Sequence, residues 1–241
     1  MAFCTVKSPA LKPLEDPLAY LPCSMILEYG SGATIYNHDQ ACTNIYLVID
    51  GRVKVSRLAP DGHPVLVDIF HPDEFFGESA FLDLPQRSEA ATALEPTELM
   101  TWTVAEIEEI IIRRPRLGVA LIQLLENRAL DFVHRIESFS RDTTDRRLAR
   151  SLIRFSDRLG IAEDDGSIRI GQFTHQLLAQ YVGTTREMVT HYMNQFRRLG
   201  YLRYSRKRVL LYRDAFEEWL RQNGEQPANV QSGAARTPAK V

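Results

Sequence analysis

Between Phe173 and Leu202 the sequence runs FTHQLLAQYVGTTREMVTHYMNQFRRLGYL, and it contains side chains with the chemistry of base recognition. The fork of Arg186 fits O6 and N7 of a guanine, and the carboxylate of Glu187 can accept from cytosine N4. A carboxylate is repelled by phosphate, so this pair suits base edges better than the DNA backbone. Thr190, His191 and Asn194 recur on the same side of a helix as Arg186 and Glu187. Two short helices must position this set. Thr174 is placed to cap the first, His175 to Val182, in which Leu177, Leu178 and Tyr181 face inward. Gly183 closes it, at a position that favours a left-handed backbone. Thr184 or Thr185 caps the second, with Met188, Val189, Tyr192 and Met193 as its buried stripe. Two amphipathic helices with a solvated charged face would share much of this pattern. The tight glycine turn and the segment that follows favour DNA. That segment, YLRYSRKRVLLY from Tyr201 to Tyr212, reads as two strands around a basic tip at 205–208. Arg206 and Lys207 in the tip would lie near phosphates, and Arg197 and Arg198 add charge at the end of the second helix.

A second constellation lies at FFGESAFLDLPQRSEAATA, from Phe75 to Ala93. Gly77 allows backbone to approach a ligand closely. Glu78 supplies an acceptor pair suited to a ribose hydroxyl. Nine residues later Arg87 offers a phosphate fork with the Ser88 hydroxyl beside it. A single helical turn between them would present N–H groups to an anion. Together they suit a phosphorylated sugar; taken singly they would pass for a surface Glu–Arg pair.

The rest of the chain narrows the choices. Its 241 residues suffice for two modest domains, with ordinary hydrophobic (44%) and charged (25%) content. No apolar run reaches membrane-spanning length, and the first residues lack a signal pattern, so a cytoplasmic protein with no membrane partner is expected. Cys4, Cys23 and Cys42 have neither metal-ligand nor disulfide spacing. His38, His63, His71 and His134 are expected at the surface rather than as haem ligands. Net charge is −2, unusual for a DNA binder, but it divides unevenly: residues 141–221 carry +6 and the remainder −8.

From Met25 to Thr103, short alternating strands are separated by Gly30-Ser31-Gly32, Asp50-Gly51, Asp61-Gly62 and Pro72-Asp73, which predicts an antiparallel barrel or sandwich. Residues before it form a Pro-rich arm with a short helix. Val104 to Ile112 reads as a helix, and Pro115 opens a long one reaching Ser140. Leu121, Leu125, Phe132, Ile136 and Phe139 form an apolar stripe on it, which favours a second copy of the helix over packing on the barrel. A further amphipathic helix, Asp142 to Leu159, opens the second domain. Residues 223–241 read as a disordered tail.

With these parts in this order, the chain from Met25 to Leu220 resembles the CRP/FNR family of bacterial transcription regulators. The stretches IYLVIDGRVKVSRL and DGHPVLVDIFHPDEFFGE carry the resemblance, with the helix after Pro115, the helix-turn-helix and the wing. It implies an α+β fold: an N-terminal antiparallel jelly roll with its arm (1–114), a dimerisation helix (115–141), a winged helix-turn-helix (142–222) and the tail (223–241). It implies a homodimer held through Leu121, Leu125, Phe132, Ile136 and Phe139, controlled from the barrel and bound to a two-fold symmetric operator in double-stranded DNA. It extends the DNA-facing set to Thr174, His175, Thr185, Arg186, Glu187, Thr190 and His191, with Arg206 and Lys207 in the wing. His191 stands where an Arg is common, so one half-site position is altered or relaxed. An activator would also need a surface for RNA polymerase. No catalytic arrangement stands out, so an enzyme is not expected. A cyclic-nucleotide-binding module of another system is the alternative, against which the wing argues.

The resemblance also implies a cyclic nucleotide such as cyclic AMP, held by Gly77, Glu78, Arg87, Ser88 and, from the long helix, Arg128. Two departures point away from it. Glu89 stands where a small apolar residue is usual, and Phe132-Val133 occupies the place of an adenine-gripping Thr-Ser pair. A member active without nucleotide is the remaining alternative.

Overall fold

The computed structural model describes residues 14–60, 64–171, 173–204 and 208–223. The Asp61-Gly62 turn, His63, Cys4, Arg206, Lys207 and most of the arm and tail lie outside the described residues. The chain divides into two compact units, residues 1–134 and 135–241.

The first unit holds β1 (Met25–Tyr29), β2 (Thr34–Tyr36), β3 (Asn44–Asp50), β4 (Val53–Leu58), β5 (Pro64–Phe70), β6 (Phe75–Phe76), β7 (Ala90–Ala93) and β8 (Thr97–Thr103). They form two antiparallel four-stranded sheets, ordered β1-β8-β3-β6 and β2-β7-β4-β5. Alternation explains how they pack. Tyr46 and Val48 of β3 point into the barrel core with Tyr36, Val53, Phe76 and Leu99. Ile45 and Leu47, from the opposite face of the same strand, join Phe75, Trp102, Ile107, Leu117 and Leu121 in a second core. α1 (Val104–Arg113) and the start of α2 (Arg116–Arg141) supply that core's helical side. A reciprocal capping box starts α1: Thr103 Oγ1 accepts from Glu106 N–H, and the Glu106 carboxylate accepts from Thr103 N–H.

Here two sequence expectations are corrected. Leu121 is 8% exposed and belongs to the second core, so it faces the barrel. Its neighbour Ile122, 68% exposed, takes its place on the outer stripe. Leu125, Ile136 and Phe139 are exposed and Phe132 is half-buried. His71, expected at the surface, is 1% exposed.

The second unit contains the last turns of α2, α3 (Thr144–Leu159), β9 (Ile161–Ala162), β10 (Ile168–Ile170), α4 (His175–Val182), α5 (Arg186–Arg198), β11 (Leu202–Tyr204), β12 (Val209–Leu211) and α6 (Arg213–Gln222). The four strands form one antiparallel sheet, ordered β11-β12-β10-β9. Aromatic contacts fix the helices: Phe155 stacks on Phe173 and tilts against Tyr181, while Phe196 meets Phe216 and Trp219 edge-on.

Candidate functional site

In the second unit, α4 and α5 are joined by Gly183 at φ 69°, the left-handed conformation its position requires. Thr174 Oγ1 accepts from Leu177 N–H and Thr185 Oγ1 from Met188 N–H, so a threonine hydroxyl caps each helix. Arg147 of α3 donates to the carbonyls of Val182 and Asp142, satisfying the end of α4. On α5, Val189, Met193 and Phe196 are buried, while Arg186, Glu187 and His191 are exposed and Thr190 is half-buried. Met188, expected in the buried stripe, is 37% exposed. Thr190 Oγ1 donates to the Arg186 carbonyl and contacts His175 Nδ1 at 2.8 Å, tying the two helices together. The Glu187 carboxyl is held below its ordinary range by its own backbone N–H and the Thr185 hydroxyl, which keeps it an anionic acceptor.

In the first unit, Gly77, Glu78, Arg87 and Arg128 come together. Gly77 has φ 85°, and a Cβ there would meet Arg87 Nη1, the Asn44 carbonyl and the Tyr46 ring, each at 3.2 Å. The 3-10 turn Glu78–Leu82 follows it. Arg87 is 3% exposed. Its guanidinium lies 3.8 Å from the Tyr36 ring centroid, and its Nη atoms donate to the carbonyls of Asn44 (2.5 Å) and Gly77 (3.4 Å). Glu78 is paired with Arg128 at 2.5 Å, and Arg128 also donates to the Phe75 carbonyl while lying over the Phe70 ring. Ser88 is half-buried. The residues that sequence reasoning missed are Tyr36 and Ser79. Both hydroxyls donate to the Glu89 carboxylate, at 3.0 and 3.1 Å. Burial, with Glu89 beside it, pushes the Tyr36 hydroxyl far above the ordinary tyrosine range, so it remains a donor. Nothing in the linear pattern connects Tyr36 to Glu89; their juxtaposition comes from the pairing of β2 with β7. Cys42 is buried with Sγ 3.5 Å from Ser79 Oγ, and Cys23 is exposed. Among the described residues, no group of three ligand side chains could hold a metal, and no helix is long and apolar enough to cross a membrane.

A cyclic-nucleotide-binding-like barrel followed by a winged helix-turn-helix defines a class: regulators of transcription that bind DNA. The sequence matches the cyclic nucleotide-binding domain family over residues 26–114 and the Crp-like helix-turn-helix domain family over residues 146–219. The chain belongs to the CRP/FNR family of DNA-binding transcription regulators. It is 26% identical to a CRP-like cAMP-activated global transcriptional regulator of Mycobacterium tuberculosis, over 77% of this chain and 83% of the relative. It is 27% identical to a global nitrogen regulator of Synechococcus elongatus, over 78% and 85% of the two chains. The cyclic AMP receptor protein of Thermus thermophilus is 28% identical, over 73% and 78%. The structure of FixK2 from Bradyrhizobium japonicum has the same fold, with a TM-score of 0.72 at 20% identity, over 81% of this chain and 96% of that one.

Proposed function

We propose that the protein works as a homodimer on a two-fold symmetric operator, with the barrel pocket as its control site. The observation that carries this is the exposed Arg186-Glu187-His191 face of α5, placed at a helix start by the Thr185 cap. Arg186 and Glu187 read base edges in the major groove, and His191 reads an adjacent pair without the bidentate grip an Arg would have. Thr174, His175, Thr185 and Thr190 belong to the same DNA-facing set, His175 and Thr190 being in contact. Arg206 and Lys207 of the wing neutralise phosphates. Dimerisation runs along the exposed stripe of α2 through Leu125, Phe132, Ile136 and Phe139, with Ile122 completing it. The operator-bound dimer acts in the cytoplasm, touching RNA polymerase where it activates, and has no catalytic role.

Gly77, Glu78, Arg87, Ser88 and Arg128 form the control pocket. The Mycobacterium and Thermus relatives are named for cyclic AMP and the Synechococcus relative for nitrogen regulation, so the relatives' names do not point to one effector for this pocket. Selection of binding sites from random duplex DNA tests the main reading. An inverted repeat with half-site centres about one helical turn apart is expected. Selection of no consensus, or of a single unrepeated site, would sink it.

A further inference from the structure

The phosphate end of the barrel pocket already holds an anion of its own. Glu89 Oε1 accepts from Ser79 Oγ and Tyr36 Oη at 3.1 and 3.0 Å. Ser79 stands in the 3-10 turn that follows Gly77, where a phosphate would find N–H and hydroxyl donors. Tyr36 carries the Arg87 guanidinium on its ring, so carboxylate and guanidinium share one aromatic side chain. Arg87 Nε is buried without an acceptor, as a site prepared for an anion would leave it. The two hydroxyls that could complete such a site are already given to Glu89. A phosphodiester arriving here would lose those donors and meet a second negative charge in a poorly screened environment, where like charges repel strongly.

We propose that Glu89 is the specificity-determining residue of the barrel: its carboxylate takes the hydroxyl donors of the phosphate site and excludes cyclic nucleotides from the native pocket. This rests on reading that pocket as the control site. It also sets this chain apart from relatives whose names include cyclic AMP. Glu89→Ala would return the Tyr36 and Ser79 hydroxyls to the pocket and remove the repelling charge, with Arg87 still in place.

The test is calorimetric titration of the full-length protein with cyclic AMP and cyclic GMP, as wild type, Glu89→Ala, Glu89→Gln and Glu89→Ala/Arg87→Ala. Folding of each variant is checked by circular dichroism and thermal melting. Glu89→Ala should bind one of the two nucleotides saturably, at least about tenfold more tightly than wild type. Addition of Arg87→Ala should abolish the gain. Glu89→Gln drops the charge, but its amide oxygen still accepts from the two hydroxyls, so it should gain less than Glu89→Ala. Wild type binding as tightly as Glu89→Ala would overturn the proposal. So would a folded Glu89→Ala that takes no nucleotide, or a Glu89→Gln that binds more tightly than Glu89→Ala. Gel shifts on the selected operator, run on the same preparations, keep the two readings apart. Failure of wild type to bind DNA would sink the functional reading and leave the titrations as a statement about the pocket alone.

Discussion

Thr190 shows how finely the proposed DNA-reading face is arranged. Its hydroxyl proton goes to the Arg186 carbonyl at 2.9 Å, so the contact with His175 must run from Nδ1–H to Oγ1. Such an Nδ1–H is carried by the neutral Nδ1 tautomer and by the imidazolium alike. Burial, and then the nearby Arg186, lower its pKa and so favour the neutral form. Glu187, by contrast, is fully charged at neutral pH and fully exposed, with its backbone fixed by the Thr185 cap. An acceptor-only side chain held this way can read a cytosine amine but cannot help to bind phosphate. Replacing Glu187 with Ala should cost about 1–3 kcal/mol of discrimination at a single C·G pair and relax that position. Affinity for sites altered elsewhere should change much less, since a negative charge is removed from the DNA face. Binding to a set of operators substituted at each position in turn measures this, and an equal loss across the set would contradict it.

The elements around that face depend on a close contact at the turn. A Cβ on Gly183 would lie 2.7 Å from the Phe139 ring, in a backbone conformation that L-residues adopt at a cost. Phe139 sits in turn beneath the Arg147 guanidinium. Gly183→Ala should lower stability by roughly 2 kcal/mol in thermal melts. The loss should shrink in a Phe139→Ala background; strict additivity would show that the ring contact is unimportant. The helices of this turn were legible in the sequence because their ends carry local chemistry, a threonine before each and a glycine between. The role of Phe139 at the turn was not legible, since its spacing serves an exposed stripe equally well. Asp142, between α2 and α3, was hidden for the same kind of reason. Burial pushes its carboxyl up, but hydrogen bonds from Ser138 and Arg146, with Arg150 alongside, outweigh this and hold it below its ordinary 3.8. A depressed folded value means stabilisation that is present above the unfolded pKa and is lost as pH falls through the folded one. Asp142→Asn should therefore melt lower than wild type at neutral pH, by about 2 kcal/mol, and the difference should close below about pH 3.8. Melts recorded across that range check it, and a constant difference would remove the charge from the account.

At the scale of the whole molecule, the proposed mode of DNA binding rests on two features of the chain: where its charge lies and which face of α2 is exposed. The charge was readable directly, because the basic excess falls within residues 141–221 despite a net −2. The uncovered face was readable only to within one residue. Leu121 and Ile122 are adjacent and equally apolar, and the choice between them is made by tertiary packing: Trp102 and Ile107 claim Leu121. Once Ile122 is substituted, the stripe runs Ile122, Leu125, Ala129, Phe132, Ile136, Phe139, in alternating steps of three and four that match a heptad seam. The proposed dimer then makes opposite demands on the two neighbours. Ile136, 67% exposed, stabilises nothing within its own chain that its exposure reveals, so Ile136→Asp should leave the melting of each unit near wild type while placing facing carboxylates in the seam. Sedimentation should show a monomer. Operator affinity should fall by about 10²–10⁴, because the second half-site contact no longer benefits from the first. Leu121→Ala should do the reverse, lowering barrel stability by about 3 kcal/mol through a core cavity while the protein still sediments as a dimer. If Leu121→Ala dissociated the protein and Ile136→Asp did not, the seam would lie on the other face of α2.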